Sequence, residues 1–111
     1  MNKLRHAGIV VGDLGQGIEW YQQFNFYPLS FESVEINGKM VELCKMAHKD
    51  GSMLELLDGA SAVNHVSFTV GKLLFDMLKE NHDTKLFEKE GVCYIEDAWG
   101  NKIEIVEERG F

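Results

Sequence analysis

Proline, cysteine and basic charge are all scarce in this sequence. Its 111 residues include one proline, Pro28, and two cysteines, Cys44 and Cys93. The cysteines are far apart and form no C-x-x-C motif, which excludes that type of metal or redox site. We expect both to be buried thiols, as is usual in a reducing compartment, and therefore expect a cytoplasmic protein.

Basic residues are outnumbered, with 11 Lys and Arg against 18 Asp and Glu and a net charge of -7. A nucleic-acid partner would require a basic face, and anionic membranes attract basic segments, so we expect neither partner. No stretch approaches the roughly 20 apolar residues of a membrane span, and the beginning of the chain lacks a signal-peptide cleavage pattern.

Apolar residues make up 45% of the chain and charged residues 26%, which is the composition of a globular protein. We expect one domain, residues 1–111, large enough to bury a core without disulfides. Hydrophobic periodicity and turn signals predict two helices, and Asp13 is the expected N-cap of the first one. The predicted helices are 14–24 and 72–81, and the predicted strands are 4–11, 29–36, 39–47, 52–58, 63–70, 85–88, 91–97 and 102–108.

The two halves of the sequence repeat each other. LRHAGIVV aligns with VNHVSFTV, which places His6 over His65. GSMLELL aligns with GNKIEIV, which places Glu55 over Glu104, each four residues after a glycine. The second half is about ten residues shorter, because His6 and Glu55 are 49 residues apart and His65 and Glu104 are 39 apart.

Strand alternation predicts which face of the sheet these four residues occupy. Leu54 and Leu56 alternate with Glu55, and the other three strands show the same arrangement, with apolar residues opposite the His or Glu. A single His or Glu on a strand is usually a surface residue. Here the repeat selects all four positions without reference to their chemistry, and two imidazoles with two carboxylates form a typical set of metal ligands.

Three further polar residues, His48, His82 and Lys102, are not predicted to be metal ligands. His48 lies in a predicted turn and His82 at a predicted helix end, so both are expected to be solvated. Lys102 shares the face of Glu104. It either pairs with neighbouring carboxylates or binds an anionic group of a substrate, and the sequence leaves both interpretations open.

The motifs HAGIVV-x-DL…WY-x-x-F, MLEL, NHVSFTV and GNKIEIVE resemble those of the vicinal oxygen chelate superfamily, over residues 4–108. That group includes glyoxalase I, methylmalonyl-CoA epimerase, extradiol dioxygenases, fosfomycin-modifying enzymes and bleomycin-binding proteins. The resemblance implies an α+β fold of two paired βαβββ modules, residues 4–58 and 63–108, with a sheet that curls around a metal-binding cleft. The implied metal ligands are His6, Glu55, His65 and Glu104.

Among these proteins, the ligand order His, Glu, His, Glu is similar to that of glyoxalase I, whereas epimerases usually carry Gln in place of Glu55. The resemblance therefore implies a lyase or isomerase that uses a divalent ion (Ni, Zn, Co, Mn or Fe). Glu104 would remove a proton α to a carbonyl, and the metal would stabilise the enediolate. Two alternatives remain: a non-catalytic protein that binds an antibiotic or metabolite, and an iron-dependent extradiol dioxygenase.

The sequence departs from the superfamily pattern at the turn D-P-D-G-N, where it has DAWGN at 97–101. It also lacks a clear basic cluster for the carboxylates of glutathione, which leaves a thiol cofactor open. We expect a homodimer, because small members of this group often complete their cleft with a second copy. The four ligands would come from one chain or be shared between two chains.

Overall fold

The computed structural model describes residues 2–108, and it confirms the α+β class. Contacts divide the chain into two units. The first module is residues 6–64, and the second module is residues 65–108 together with residues 2–5. Both have the order strand, helix, then three strands. The elements are β1 Lys3–Val10, α1 Leu14–Gln22, β2 Tyr27–Ile36, β3 Lys39–Ala47, β4 Met53–Asp58, β5 His65–Val70, α2 Lys72–Asn81, β6 Glu88–Lys89, β7 Val92–Glu96 and β8 Lys102–Glu107.

In the first module the strands lie in the order β2, β3, β4, β1, with β1 parallel to β4 and the other pairs antiparallel. One face of this sheet packs against α1. The core on that face is built from Cys44, Met46 and Leu56, with partly buried apolar residues around them, Ile9, Val11, Leu14, Ile18, Tyr21, Phe26 and Leu54. Burying this apolar surface stabilises the module.

Helix α1 begins as the sequence predicts and ends earlier. The Gln16 N–H donates to Asp13 Oδ1 at 2.8 Å, which confirms Asp13 as the N-cap. The predicted helix 14–24 ends at Gln22, and Asn25 follows in the left-handed region at φ 66°. Asn tolerates this conformation better than most residues, so the chain can turn away here.

Strand β2 begins at Tyr27 and includes Pro28, although proline was expected to precede the strand. The strand lies at the edge of the module's sheet, where a missing N–H costs no ladder bond, and the register shifts between Pro28 and Ser30. The predicted hairpin after it is confirmed. Asn37 and Gly38 both have positive φ, 54° and 73°, as the two central residues of a type I′ turn require.

The second module repeats this plan, and its first three strands are shorter than their equivalents in the first module. Strand β5 is parallel to β8, and β8, β7 and β6 follow as antiparallel neighbours. The expected short strand at 85–88 is the two-residue β6. Helix α2 covers a core of Val70, Phe75, Cys93, Ile95 and Ile105, flanked by Phe68, Leu74, Leu78 and Ile103.

Both cysteines are the buried free thiols that the sequence predicts. Each lies in the core of its own module, and burial raises the pKa of the Cys44 and Cys93 thiols. A raised pKa lowers the fraction of reactive thiolate. Among residues 2–108, neither helix is long and apolar enough to cross a bilayer.

Candidate metal-binding residues

The predicted division of faces is confirmed in both modules. Leu54 and Leu56 pack on the helix side of β4, and Ile103 and Ile105 do so on β8. Because side chains alternate along a strand, Glu55 and its equivalent in β8 point to the side away from the helix. The turn before each of these strands carries a left-handed glycine, Gly51 at φ 96° and Gly100 at φ 86°, so the repeat extends to the backbone.

In the first module His6 and Glu55 meet on the face away from α1. Parallel pairing of β1 with β4 places Gly8 beside Glu55, and His6 precedes Gly8 by two residues on the same face. His6 Nε2 lies 3.7 Å from Glu55 Oε2, and both side chains are 9% exposed. Since Gly8 has no side chain, nothing from its position separates the imidazole from the carboxylate.

In the second module His65 and Glu104 occupy the equivalent face. The pairing of β5 with β8 sets Ser67 opposite Glu104, and the Ser67 hydroxyl donates to Glu104 Oε1 at 2.6 Å. A ring nitrogen of His65 lies within 4.8 Å of a Glu104 carboxylate oxygen. His65 is 5% exposed and Ser67 is fully buried, whereas Glu104 is partly exposed.

Tyr94 is the fourth member of the second module's polar group, after His65, Ser67 and Glu104. It is the cross-strand partner of Glu104, and its hydroxyl lies 3.3 Å from His65 Nδ1 and 3.4 Å from Nε2. The tyrosine ring packs edge-on against Phe87, with centroids 5.7 Å apart. Tyr94 is 4% exposed, so packing holds it against the imidazole.

The equivalent cross-strand partner in the first module is a lysine. Lys45 pairs in register with Glu55, and its Nζ forms an ion pair with Glu32 Oε2 at 3.0 Å. In the second module Lys102 forms an ion pair with its own cross-strand neighbour Glu96. This pair agrees with the first of the two interpretations that the sequence left open for Lys102, and the lysine side chain stays 30% exposed.

The two remaining histidines differ from each other. His48 was expected to be solvated, but its side chain is only 20% exposed and packs on Phe26, with ring centroids 5.4 Å apart. Its Nδ1 accepts the Asp50 N–H at 3.1 Å, so it orders the turn before β4. His82 is exposed after α2, as the sequence predicts.

The donor set fits a divalent transition metal ion. Two atoms bound to one ion at about 2.0–2.2 Å can lie no more than about 4.4 Å apart. The 3.7 Å between His6 Nε2 and Glu55 Oε2 is within that limit. Imidazole nitrogens and carboxylate oxygens suit Zn, Ni, Co, Fe and Mn, whereas neither module offers a thiolate on this face.

Three polar neighbours were not singled out from the sequence: Ser67, Tyr94 and Lys45. Ser67 could have been found, because it follows His65 by two residues and strand alternation places both on one face. Tyr94 and Lys45 could not, since each reaches its glutamate from a different strand. Their position depends on register, which no local pattern in this chain specifies.

No protein-family model and no curated protein matches the sequence. Among solved structures, a mutant form of 4-hydroxymandelate synthase from Streptomyces coelicolor matches with a TM-score of 0.63 at 14% identity. The match covers 99% of this chain and 50% of that chain, so this chain spans about half the length of that protein.

Two other structures match at lower TM-scores. A glyoxalase family protein from Bacillus cereus matches at 22% identity and TM-score 0.43, over 93% of this chain and 91% of that chain. A trypanothione-dependent glyoxalase I from Leishmania major matches at 21% identity and TM-score 0.41, over 96% and 87%. The likeness to 4-hydroxymandelate synthase shows that this chain has the same fold as the matched part of that protein.

Proposed function

We propose that this protein is a divalent-metal-dependent lyase or isomerase of the glyoxalase I type. The observation that carries the proposal is the close His–Glu pair in each module, His6 with Glu55 and His65 with Glu104, at repeat-equivalent positions. One pair alone supplies two ligands, which is too few to hold an ion firmly. We therefore infer that both pairs bind the same ion, which is Ni, Zn, Co, Mn or Fe.

Four protein ligands leave two positions of a six-coordinate ion for oxygens of a small-molecule substrate. A bound divalent ion would supply Lewis-acid stabilisation of the oxyanion that forms when a proton leaves the carbon next to a carbonyl. The protein must supply the base for that proton. We assign this role to Glu104, because Ser67 orients its carboxylate and a positioned carboxylate is an effective general base.

We also propose a homodimer in the cytoplasm. The buried free thiols Cys44 and Cys93 suit a reducing compartment. Sedimentation at micromolar concentration tests the dimer, and a strict monomer would contradict it. Mixing a His6→Ala chain with a His65→Ala chain then locates the ligands: shared sites regenerate one intact site per mixed dimer, and sites within one chain regenerate none.

Metal analysis of the purified protein, followed by assays with methylglyoxal and several thiols, tests the proposed reaction. We expect about one ion per site, and exchange of the substrate α-proton with deuterium from solvent. Iron dependence with oxygen consumption would replace the proposal with an extradiol dioxygenase. Tight binding of a small antibiotic or metabolite, with no α-proton exchange for any carbonyl substrate, would replace it with a binding protein.

A further inference from the structure

The second module contains a cavity of about 200 Å³ that the proposed metal chemistry does not use. It is partly open to solvent and is lined by the segment after α2 and by the strands β7 and β8. Two aliphatic residues, Leu86 and Ile95, form part of its wall. The polar residues that line it are His82, Asp83, Tyr94, Glu96 and Lys102. Typical pockets for drug-sized ligands are about 300–1,000 Å³, so this one suits a smaller molecule.

The charges around this cavity have both signs. Lys102 is a cation, while Asp83 and Glu96 are anions, and His82 adds an imidazole at the rim. Lys102 and Glu96 form an ion pair with each other. Asp83 Oδ1 accepts the Lys85 N–H at 2.9 Å, which orients the Asp83 carboxylate. A ligand with a single charge would meet a group of its own sign, whereas a zwitterion matches both.

The cavity also lies close to the candidate metal ligands of the same module. Lys102 precedes Glu104 by two residues on the same face of β8, a distance of about 6.7 Å along a strand. Tyr94 forms part of the cavity wall, and its hydroxyl contacts His65. A ligand anchored at Lys102 would therefore lie on the face of β8 that carries Glu104.

We propose that this cavity binds the α-amino-acid end of a small zwitterionic substrate. The ligand separates the partly exposed ion pair between Lys102 and Glu96, since exposed pairs of this kind contribute little to stability. Lys102 then binds the carboxylate of the ligand, and Glu96 and Asp83 bind its ammonium group. The two aliphatic residues and Tyr94 exclude molecules with a bulky side chain. The assignment of this molecule as substrate rests on the proposed function, whereas binding in the cavity does not require a metal ion.

The test is titration of metal-free ¹⁵N-labelled protein with three matched probes, followed by NMR. L-serine carries both charges, ethanolamine lacks the carboxylate, and 3-hydroxypropionate lacks the ammonium. We expect saturable shifts with L-serine, centred on the backbone amides of Tyr94 and Glu96. The two single-charge probes should bind about tenfold or more weakly, because each leaves one charge-assisted hydrogen bond unmade.

Two variants make the test specific. Lys102→Met keeps the stem and removes the charge, and it should raise the dissociation constant of L-serine about tenfold or more. Glu96→Gln should raise the dissociation constant by a similar factor, because it removes a negative charge that binds the ammonium group of L-serine. Lys72→Met is the matched control in the same module, since Lys72 is 73% exposed and pairs with Asp76 on α2. It should leave L-serine binding unchanged.

The side chains of Lys102 and Glu96 are 30% and 54% exposed. Replacing either residue therefore carries little risk of unfolding the protein. Absence of saturable shifts with L-serine, or equal affinity in Lys102→Met and wild type, would overturn the proposal. Metal binding without L-serine binding would contradict the cavity assignment and leave the proposed function standing. L-serine binding in a protein that never retains metal would leave a binding site and remove the lyase or isomerase.

Discussion

The hydroxyl of Ser67 donates a 2.6 Å hydrogen bond to Glu104 Oε1 from the neighbouring parallel strand. The repeat-equivalent position in the first module is Gly8, the register partner of Glu55. One carboxylate is thus oriented by a buried hydroxyl, and the other lies next to an imidazole with no side chain at the matching position. The repeat aligns the two glutamates, but their surroundings have diverged.

Replacing Ser67 with Ala should weaken metal binding about 10- to 100-fold, the usual effect of removing a group that orients a ligand. The change removes only one oxygen atom, from a fully buried position. Competition with a chromophoric chelator measures the affinity. Thr69→Val is the control, since Thr69 follows Ser67 by two residues on the same face of β5. An unchanged affinity in Ser67→Ala would show that the hydrogen bond has no role in the site.

His6→Ala and His65→Ala should each reduce the metal content of purified protein from about one ion per site to a small fraction. Each change leaves three ligands, too few to hold the ion as firmly. Inductively coupled plasma mass spectrometry provides the measurement. His48→Ala is the matched control, because this half-buried histidine packs on Phe26 instead. If both ligand variants keep the metal content of wild type, the ligand assignment is wrong.

Glu104→Gln should lower kcat by roughly 10²–10⁴, the usual contribution of a positioned general base. The amide keeps the shape and a coordinating oxygen, so metal affinity should fall less than in His65→Ala. Glu55→Gln should be milder, because an amide oxygen can still coordinate. Isomerisation of a thiohemiacetal measures turnover, and deuterium exchange at the α-carbon is a second readout. Full turnover in Glu104→Gln with loss in Glu55→Gln would reverse the two roles.

Asp97 should make stability depend on pH in the acid range. Its carboxylate accepts from Asn101 Nδ2 and from the backbone N–H groups of Asn101 and Trp99, all at 2.9 Å. These hydrogen bonds, those of Asn101 foremost, hold the pKa of Asp97 below its ordinary value of 3.8. The stabilisation is therefore present above that value and is lost as the pH falls through the lower pKa of the folded state.

Asp97→Asn should accordingly have a lower Tm than wild type at neutral pH, with a difference that shrinks once the pH falls below the ordinary value of 3.8. Thermal melts of both proteins between about pH 2.5 and pH 7 measure this difference. A Tm difference that stays constant across the whole range would show that the charge of Asp97 does not stabilise the turn before β8.

Local patterns in the sequence were sufficient to predict the order of strands and helices in the two modules and the apolar face of each strand that carries a candidate ligand. Period-two alternation placed Glu55 and Glu104 opposite the apolar residues that the helices cover, because successive side chains must point to opposite faces. Asn37 and Gly38 specified a hairpin, since few other residue pairs adopt two positive φ angles at low cost. The helix end at Gln22 was missed because Asn25 adopts the left-handed region soon after it. The strand start at Tyr27 was missed because the edge position of β2 tolerates Pro28.

Only the tertiary structure decided what surrounds each candidate ligand. Strand pairing joins segments that are distant in sequence, and it set Ser67 and Tyr94 beside Glu104 and Lys45 beside Glu55. A shift of one residue in any of these registers would turn every side chain of that strand to the other face. The repeat in the sequence therefore determined which four residues are candidates, and hydrogen bonding between strands determined which polar groups orient them.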